Sequence, residues 1–257
     1  MNRTKAGHPL NWNRALHHSY PIYYSPHLRL AALPQTVDLR PVEPSIFNQG
    51  REGSCTANAW AYLYDFLAVK YGTKSPLYFH PEKFYPAARN FIYYNERVID
   101  GDVDQDQGSY LHTGGQSLSE TGTVSEAVYP YLSTNLYSKP SDQMYTWAKG
   151  HRLTPQPISD LNGILSCLAE GYPVVGGEVL YNSFESIGAN GMVPMPNRWF
   201  NYVIGGHAQC YFGYDLSRQV IIAKNSWGDT WGDNGSCYFP FAYFTNPQLT
   251  SDFWTAR

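Results

Sequence analysis

The stretch NQGREGSCTANAWAY, residues 48–62, decides the fold of this chain and centres on a single cysteine. Cys55 stands where a glycine-rich loop meets an apolar run, and Gln49 precedes it by six residues. The first N–H groups of a helix are unsatisfied, and the helix dipole is positive at the N-terminal end. The pKa of a cysteine at that end is therefore lowered, which favours the thiolate. Thiolate is the nucleophilic form of the side chain. The stretch therefore predicts a reactive cysteine at the start of a buried helix.

Bulk composition excludes several classes of protein. The 257 residues carry a net charge of −3 with 15 % charged residues, so no nucleic acid or anionic membrane is expected as a partner. No apolar run is long enough for a membrane span, and no signal peptide is visible, which leaves the compartment open. Four widely spaced cysteines without metal-ligand spacing predict free thiols and no metal site. They are Cys55, Cys167, Cys210 and Cys237. Nothing in the sequence implies a cofactor.

The composition and the predicted secondary structure change twice along the chain. Residues 1–33 contain four basic residues, no acid and half of the histidines, and they predict an extended arm packed on the body, with a disordered tail as the alternative. Residues 34–142 predict a helical lobe and residues 143–257 a strand-rich lobe, hence an α+β architecture. The predicted helices are 54–69 (stopped by Gly72), 81–98, 109–120 and 160–170. The predicted strands are 173–180, 202–204, 208–214, 220–224 and 235–239.

A nucleophilic thiolate needs a base and a group that orients the base. His207 follows two glycines at the entrance to a predicted strand, where small neighbours leave an imidazole accessible. Asn225 directly follows another predicted strand and opens the run NSWGDTWG, residues 225–232. An asparagine carbonyl can accept from the imidazole N–H without adding a second negative charge beside the thiolate. Cys55, His207 and Asn225 are therefore predicted to form one centre.

Three blocks of this sequence together resemble the signature blocks of papain-like cysteine proteases. They are Gln49-Gly50-x-x-Gly53-Ser54-Cys55, Gly206-His207-Ala208 and the run from Asn225 to Gly232. The order Cys, His, Asn is kept: His207 comes 152 positions after Cys55, and Asn225 comes 18 positions after His207. That interval agrees with the downstream distance of about 130–150 residues noted for this family. The resemblance covers residues 34 to about 245.

The resemblance implies a papain-like two-lobe fold, with a helical left lobe, a β-barrel-like right lobe and the active site in the cleft between them. It implies a cysteine endopeptidase that hydrolyses peptide bonds through an acyl-enzyme. Cys55 would be the nucleophile, His207 the general acid and base, Asn225 the residue that orients it, and Gln49 part of the oxyanion hole. Three further residues are predicted on the substrate side: Gly108 by backbone pairing, Tyr110 near a side-chain pocket, and Trp227 as a cover for the His207–Asn225 hydrogen bond.

Two departures from the family pattern indicate a particular branch of the family. Most members carry a cysteine and a tryptophan where this chain has Glu52 and Thr56, and the first change removes a common disulfide. The pattern resembles the disulfide-poor bacterial or viral members. The arm of residues 1–33 is too short for the long helical propeptide of classical members. We expect it to lie over the cleft as an intramolecular inhibitor.

Other functions on the same scaffold stay open at the sequence level. An acyl transferase or amidase would use the same thiol, with an amine replacing water in the second step. A silent binding module would keep the fold without the reaction. Peptide or protein substrates and a monomeric state are expected.

Overall fold

The computed structural model describes residues 2–15, 23–26, 33–42, 45–71, 79–80, 83–84, 86–197 and 199–257. The chain begins with a small hairpin, β1 (Asn2–Arg3) and β2 (Pro9–Leu10). A further strand, β3 (Thr36–Asp38), precedes the first long helix. None of the helices in these ranges is long and apolar enough to cross a membrane.

Helices build the first lobe around α1 (Cys55–Tyr71). The side chains of residues 55–68 are all buried, as the apolar residues on every face of this segment predict. A short hairpin of β4 (Phe79–His80) and β5 (Lys83–Phe84) follows. The lobe is completed by α2 (Arg89–Asp100), α3 (Leu111–Glu120) and α4 (Asp142–Ala148). α1 packs on α2 and α3 and also on the sheet of the second lobe, so Cys55 starts the element that joins the lobes.

An antiparallel sheet builds the second lobe. Its strands are β6 (Pro155–Ile158), β7 (Val174–Tyr181), β8 (Val203–Asp215), β9 (Val220–Lys224), β10 (Ser236–Pro240) and β11 (Thr250–Ala256). The order is β10-β9-β8-β7-β11-β6, and β3 adds to β8. Two helices accompany it, α5 (Leu161–Ala169), capped by the Asp160 side chain, and α6 (Phe241–Phe244). Separate apolar clusters lie around α1 and around β8, β9 and α5.

Most predicted elements shift by one or two residues at an end, and four of them differ in ways that have a physical reason. The helix predicted from 81 begins at Arg89, because residues 83–84 form a strand; residues 81–82 and 85 lie outside the described residues, as does the predicted stop at Gly72. The helix predicted from 109 begins at Leu111. The strands predicted at 202–204 and 208–214 are one strand, β8, since the two glycines before His207 pair with β7 and do not interrupt it.

Candidate active site

Cys55 is the first residue of α1 and is fully buried. The loop before it is tied to the segment that follows β9: the Gln49 N–H donates to the Ser226 carbonyl at 2.8 Å, and Asn48 forms an antiparallel bridge with Trp227. On the other side, the Ala208 backbone lies close to the Cys55 thiol and favours its charged form. The thiol therefore lies where the start of α1 meets β8.

His207 is held by Asn225 in one defined orientation. Nε2 of the imidazole lies 2.8 Å from Oδ1 of Asn225. The same oxygen accepts the Ser226 N–H at 2.8 Å, which identifies it as the amide oxygen. Nε2 therefore carries the proton, and the buried Nδ1, which has no hydrogen-bond partner among the described residues, is left as an acceptor. The Trp227 ring lies over the imidazole, with 5.0 Å between ring centroids.

The Gln49 amide is fixed at both ends. Its Oε1 accepts from the Ser226 hydroxyl at 2.6 Å, and its Nε2 donates to the Glu52 carbonyl at 3.0 Å. An amide nitrogen carries two N–H donors, so one remains for another acceptor. The structure thus brings all four predicted residues together. Cys55 lies beside Ala208, the residue after His207, and the His207 side chain is hydrogen-bonded to that of Asn225. Gln49 is hydrogen-bonded to Ser226, the residue after Asn225.

Burial keeps the thiol and the imidazole neutral. It raises the pKa of Cys55 to about 12, against hydrogen bonds from the backbones of Ala208, Asn11 and Thr56 that act in the opposite direction. It lowers the pKa of His207 to about 4; the Asn225 hydrogen bond opposes this shift and the nearby His8 adds to it. The sequence predicts a thiolate at this helix start. In the structure, loss of water outweighs the effect of the helix terminus.

The N-terminal arm excludes water from Cys55 and His207. Trp12 donates its N–H to the Gly206 carbonyl at 3.1 Å, and Asn13 donates to the Ser109 carbonyl at 2.9 Å, so the arm bridges both lobes in extended form. The Asn11 backbone lies close to the Cys55 thiol and favours its charged form. His8 stacks on Trp227, with 5.0 Å between centroids and 7° between the rings. Residues 8–13 thus lie across Cys55 and the rings beside it.

The three residues predicted on the substrate side have different surroundings. Trp227 lies over His207, as the sequence predicts for a cover. Gly108 directs its N–H at the Tyr93 hydroxyl at 3.1 Å, and the pairing with the arm falls on the next residue, Ser109. Gly108 has φ +83°, and a Cβ on it would lie 1.7 Å from the Asn11 carbonyl oxygen. Tyr110 precedes α3 and is half-buried, with its ring 5.2 Å from that of His112.

Asp106 supports the cysteine loop and is not singled out by the sequence reasoning. Its Oδ1 accepts from the Gly53 N–H at 2.8 Å and from the Tyr93 hydroxyl at 2.7 Å. The sequence presents it as one of several acids in a solvated loop. Only its position two residues before Gly108 could have indicated a contact with the site.

Comparison with known proteins assigns the family. A sequence model described as papain family cysteine protease matches residues 87–249, which include His207 and Asn225. An uncharacterized peptidase C1-like protein of Acanthamoeba polyphaga mimivirus is 33 % identical over 238 residues, which cover 88 % of this chain and 71 % of the viral protein. The chain belongs to the papain family of cysteine proteases. The predicted family is thereby confirmed.

Solved structures agree with this family. The crystal structure of xylellain, a cysteine protease from Xylella fastidiosa, superimposes with a TM-score of 0.88 at 33 % identity and covers 100 % of this chain and 98 % of that one. Digestive procathepsin L 3 of Tenebrio molitor shares the fold, with a TM-score of 0.69 at 17 % identity over 99 % of this chain and 75 % of that one. The predictions of a papain-like α+β fold, a cysteine peptidase and the bacterial or viral branch are confirmed. All four cysteines are free.

Proposed function

We propose that this papain-family chain hydrolyses peptide bonds through Cys55, His207, Asn225 and Gln49. The observation that supports this most is the state of the His207 ring. Asn225 holds the proton on Nε2, so Nδ1 is a free acceptor on the strand that contacts Cys55. A general base needs that combination of a fixed tautomer and an unused nitrogen.

The reaction proceeds in two steps. Nδ1 of His207 takes the Cys55 proton while Sγ bonds to the substrate carbonyl carbon. The oxyanion receives the Cys55 backbone N–H and the remaining Nε2–H of Gln49. The C–N bond then breaks, and the leaving amine takes the proton from Nδ1. Water, losing a proton to Nδ1, attacks the thioester, and the acid leaves as that proton returns to Sγ.

We also propose that the N-terminal arm holds this site inactive. With the arm docked, Cys55 and His207 have no exposed surface, and no carbonyl carbon can reach Sγ. The buried Leu10 and Trp12 fix the arm on the two lobes. The name procathepsin and the shared fold of the Tenebrio protein support a pro-segment at this end of the chain.

Hydrolysis by an arm-loosened chain tests the function. We define the arm-loosened chain as the full sequence with Leu10→Ala and Trp12→Ala. It should cleave quenched fluorescent peptides, and an acid quench should trap an acyl-enzyme whose mass locates it on Cys55. The matched chain with Cys55→Ala as well should do neither. Absence of cleavage by the arm-loosened chain would contradict the proposal.

The transferase alternative is tested in the same assay. An added amine competes with water for the thioester. If the acyl group goes to the amine and no acid forms at any amine concentration, the reaction is transfer and the hydrolase proposal is wrong.

A further inference from the structure

Asn58 is a polar residue in the buried helix α1, three residues after Cys55, and takes no direct part in the proposed reaction. The side chains of residues 55–68 are all buried, and Asn58 has no exposed surface. Burying an amide lowers stability unless its hydrogen-bonding atoms have partners, and asparagine is also a weak helix former. Packing alone therefore does not account for an asparagine at this position.

The Asn58 amide has partners at both ends. Its Oδ1 accepts from Nη1 of Arg89 at 3.1 Å. Its Nδ2 donates to the Ser54 carbonyl oxygen at 2.8 Å and lies 3.1 Å from the Ser54 hydroxyl oxygen. A guanidinium only donates and a carbonyl only accepts, so these contacts identify the oxygen and the nitrogen of the amide. The amide therefore connects a buried cation to the residue before Cys55.

The Ser54 carbonyl belongs to the same peptide group as the Cys55 N–H. Its oxygen accepts two hydrogen bonds from Asn58, one from the backbone N–H at 3.0 Å and one from Nδ2 at 2.8 Å. The first is the ordinary bond of a helical turn, and the second is additional. Linked hydrogen bonds polarise one another, so a second donor on this oxygen makes the N–H of the same peptide a stronger donor. It also fixes the plane of the peptide and thus the direction of the N–H.

We propose that Asn58 is a positioning residue for the oxyanion hole: its side chain orients and polarises the peptide between Ser54 and Cys55, whose N–H receives the oxyanion. The inference rests on the proposed peptidase function of the same site. In this role Asn58 acts through the peptide group, and its effect is greatest in steps that place a negative charge on the substrate oxygen.

Asn95 in α2 supplies a matched control. It is also buried, and its Nδ2 donates to the carbonyl oxygen four residues earlier, that of Phe91, at 2.7 Å. Its Oδ1 accepts from the Tyr145 hydroxyl at 3.0 Å. The N–H of the peptide after Phe91 is that of Ile92, and it donates to the Ala88 carbonyl within the helix. Asn95→Leu therefore removes the same kind of hydrogen bond from a peptide that cannot receive an oxyanion.

Two reactions of the same thiol test the proposal in the arm-loosened chain. Hydrolysis of a fluorogenic peptide passes through an oxyanion, whereas iodoacetamide alkylates Cys55 by displacement of iodide at a saturated carbon and forms none. We expect Asn58→Leu to lower kcat at least about tenfold and to leave KM and the alkylation rate within about twofold. Asn95→Leu should leave all three within about twofold. Equal losses in hydrolysis and alkylation, or an unchanged kcat, would overturn the proposal.

A second pair of variants covers a failure of Asn58→Leu to fold. Asn58→Asp keeps an oxygen for Arg89 and removes both donors to Ser54, and Asn95→Asp is its control. We expect the ratio of kcat to the alkylation rate to fall at least about tenfold for Asn58→Asp and to stay within about twofold for Asn95→Asp. A ratio that falls equally in both would contradict the assigned role.

The amide nitrogen resonance of Cys55 tests the contact without catalysis. Labelling with ¹⁵N-cysteine gives one backbone signal for each of the four cysteines, and Cys55→Ala identifies the one that matters. Loss of the Nδ2 bond reduces the polarisation of the peptide, so Asn58→Leu should move this signal upfield and Asn95→Leu should not. A signal that does not move would overturn the proposal. If it moves while the arm-loosened chain is alkylated but cleaves no peptide, the peptidase proposal fails and the action of Asn58 on the peptide stands.

Discussion

At the scale of single residues, Asn225 contributes one oxygen that fixes the tautomer of the base. Oδ1 accepts from Nε2 of His207 and from the Ser226 N–H, so the ring cannot turn without breaking the 2.8 Å contact. An aspartate there would hold the ring equally well and would place a charge beside a thiol that must ionise. The neutral amide suits a cysteine nucleophile for that reason.

Asn225→Ala should therefore lower kcat more than it raises KM. The imidazole would lose its partner and populate orientations in which Nδ1 no longer faces the thiol. In the arm-loosened chain we expect kcat to fall about 10²-fold with KM changed little. Steady-state kinetics on one fluorogenic peptide measure both constants. Asn162→Ala, at an exposed position, is the control, and an equal kcat for both variants would contradict the assigned role.

At the scale of elements, Arg89 at the start of α2 is the centre of a set of contacts that stabilises the loop before α1. Its Nε donates to Glu126 at 2.7 Å, and its Nη1 donates to the Asn58 side chain at 3.1 Å. The guanidinium lies 3.7 Å from the centroid of the Tyr131 ring, and the Tyr131 hydroxyl donates to the Gln49 carbonyl at 3.1 Å. This network fixes the cysteine loop in a chain whose cysteines are all free.

Arg89→Leu should destabilise the fold strongly. It leaves the Glu126 carboxylate, whose side chain is only 15 % exposed, without its cation. We expect the free energy of unfolding to fall by about 3 kcal/mol, and Glu126→Leu in the same chain to restore part of it. Urea denaturation measures both. Arg51→Leu, an exposed arginine of the same loop, should change it by less than about 0.5 kcal/mol, and a similar loss in both single variants would contradict the argument.

The sequence predicts elements well where local pattern and packing agree. The buried α1 and strand β9 follow from apolar residues on every face and from a β-branched run. Residues 203–215 are misjudged because two consecutive glycines look like a break, whereas here cross-strand pairing with β7 keeps them in the strand. The proximity of Cys55, His207, Asn225 and Gln49 was predictable because their motifs resemble three signature blocks of one family. Asp106 was not, since its role arises from a contact with Gly53, which is distant in sequence.

At the scale of the whole molecule, a docked arm is incompatible with the charged state of Cys55 and His207 that the reaction needs. The reaction needs a charged thiolate and imidazolium, and the arm keeps both groups neutral by burying them. Any condition that charges these groups therefore favours release of the arm. A single segment can open locally while the rest of the fold stays intact, so release of the arm need not unfold the lobes.

Acid should loosen the arm. Burial lowers the pKa of His207 to about 4 and also lowers that of His8, which stacks on Trp227. Protons thus bind these rings more weakly with the arm docked, and the stabilisation present above the ordinary value of 6.5 is lost as the pH falls toward 4. Alkali should act likewise above pH 9, the ordinary value for Cys55, since burial raises that pKa.

Hydrogen exchange of the Trp12 and Asn13 amides measures this release. Both N–H groups are bonded to carbonyls across the cleft, so their protection reports arm docking. After correction for intrinsic rates, their protection should fall between pH 6.5 and 4.5 while that of α1 stays constant. His8→Phe, which keeps a stacking ring and removes one titrating group, should reduce the fall. Protection that rises or stays level on acidification would contradict the account.

Alkylation of the thiol by the epoxide E-64 tests the central claim most directly: that Cys55 is a nucleophile activated by His207 and covered by the arm. Intact-mass analysis follows the reaction in the full chain, the arm-loosened chain and the arm-loosened chain with Cys55→Ala. Lys5→Ala, at an exposed arm residue, controls for substitution in the arm as such. The account predicts one adduct on Cys55, formed at least about tenfold faster in the arm-loosened chain than in the full or Lys5→Ala chain, and none with Cys55→Ala. Equal rates of alkylation with and without a loosened arm would contradict the claim that the arm covers Cys55. The absence of an adduct in every chain would contradict the claim that Cys55 is a nucleophile.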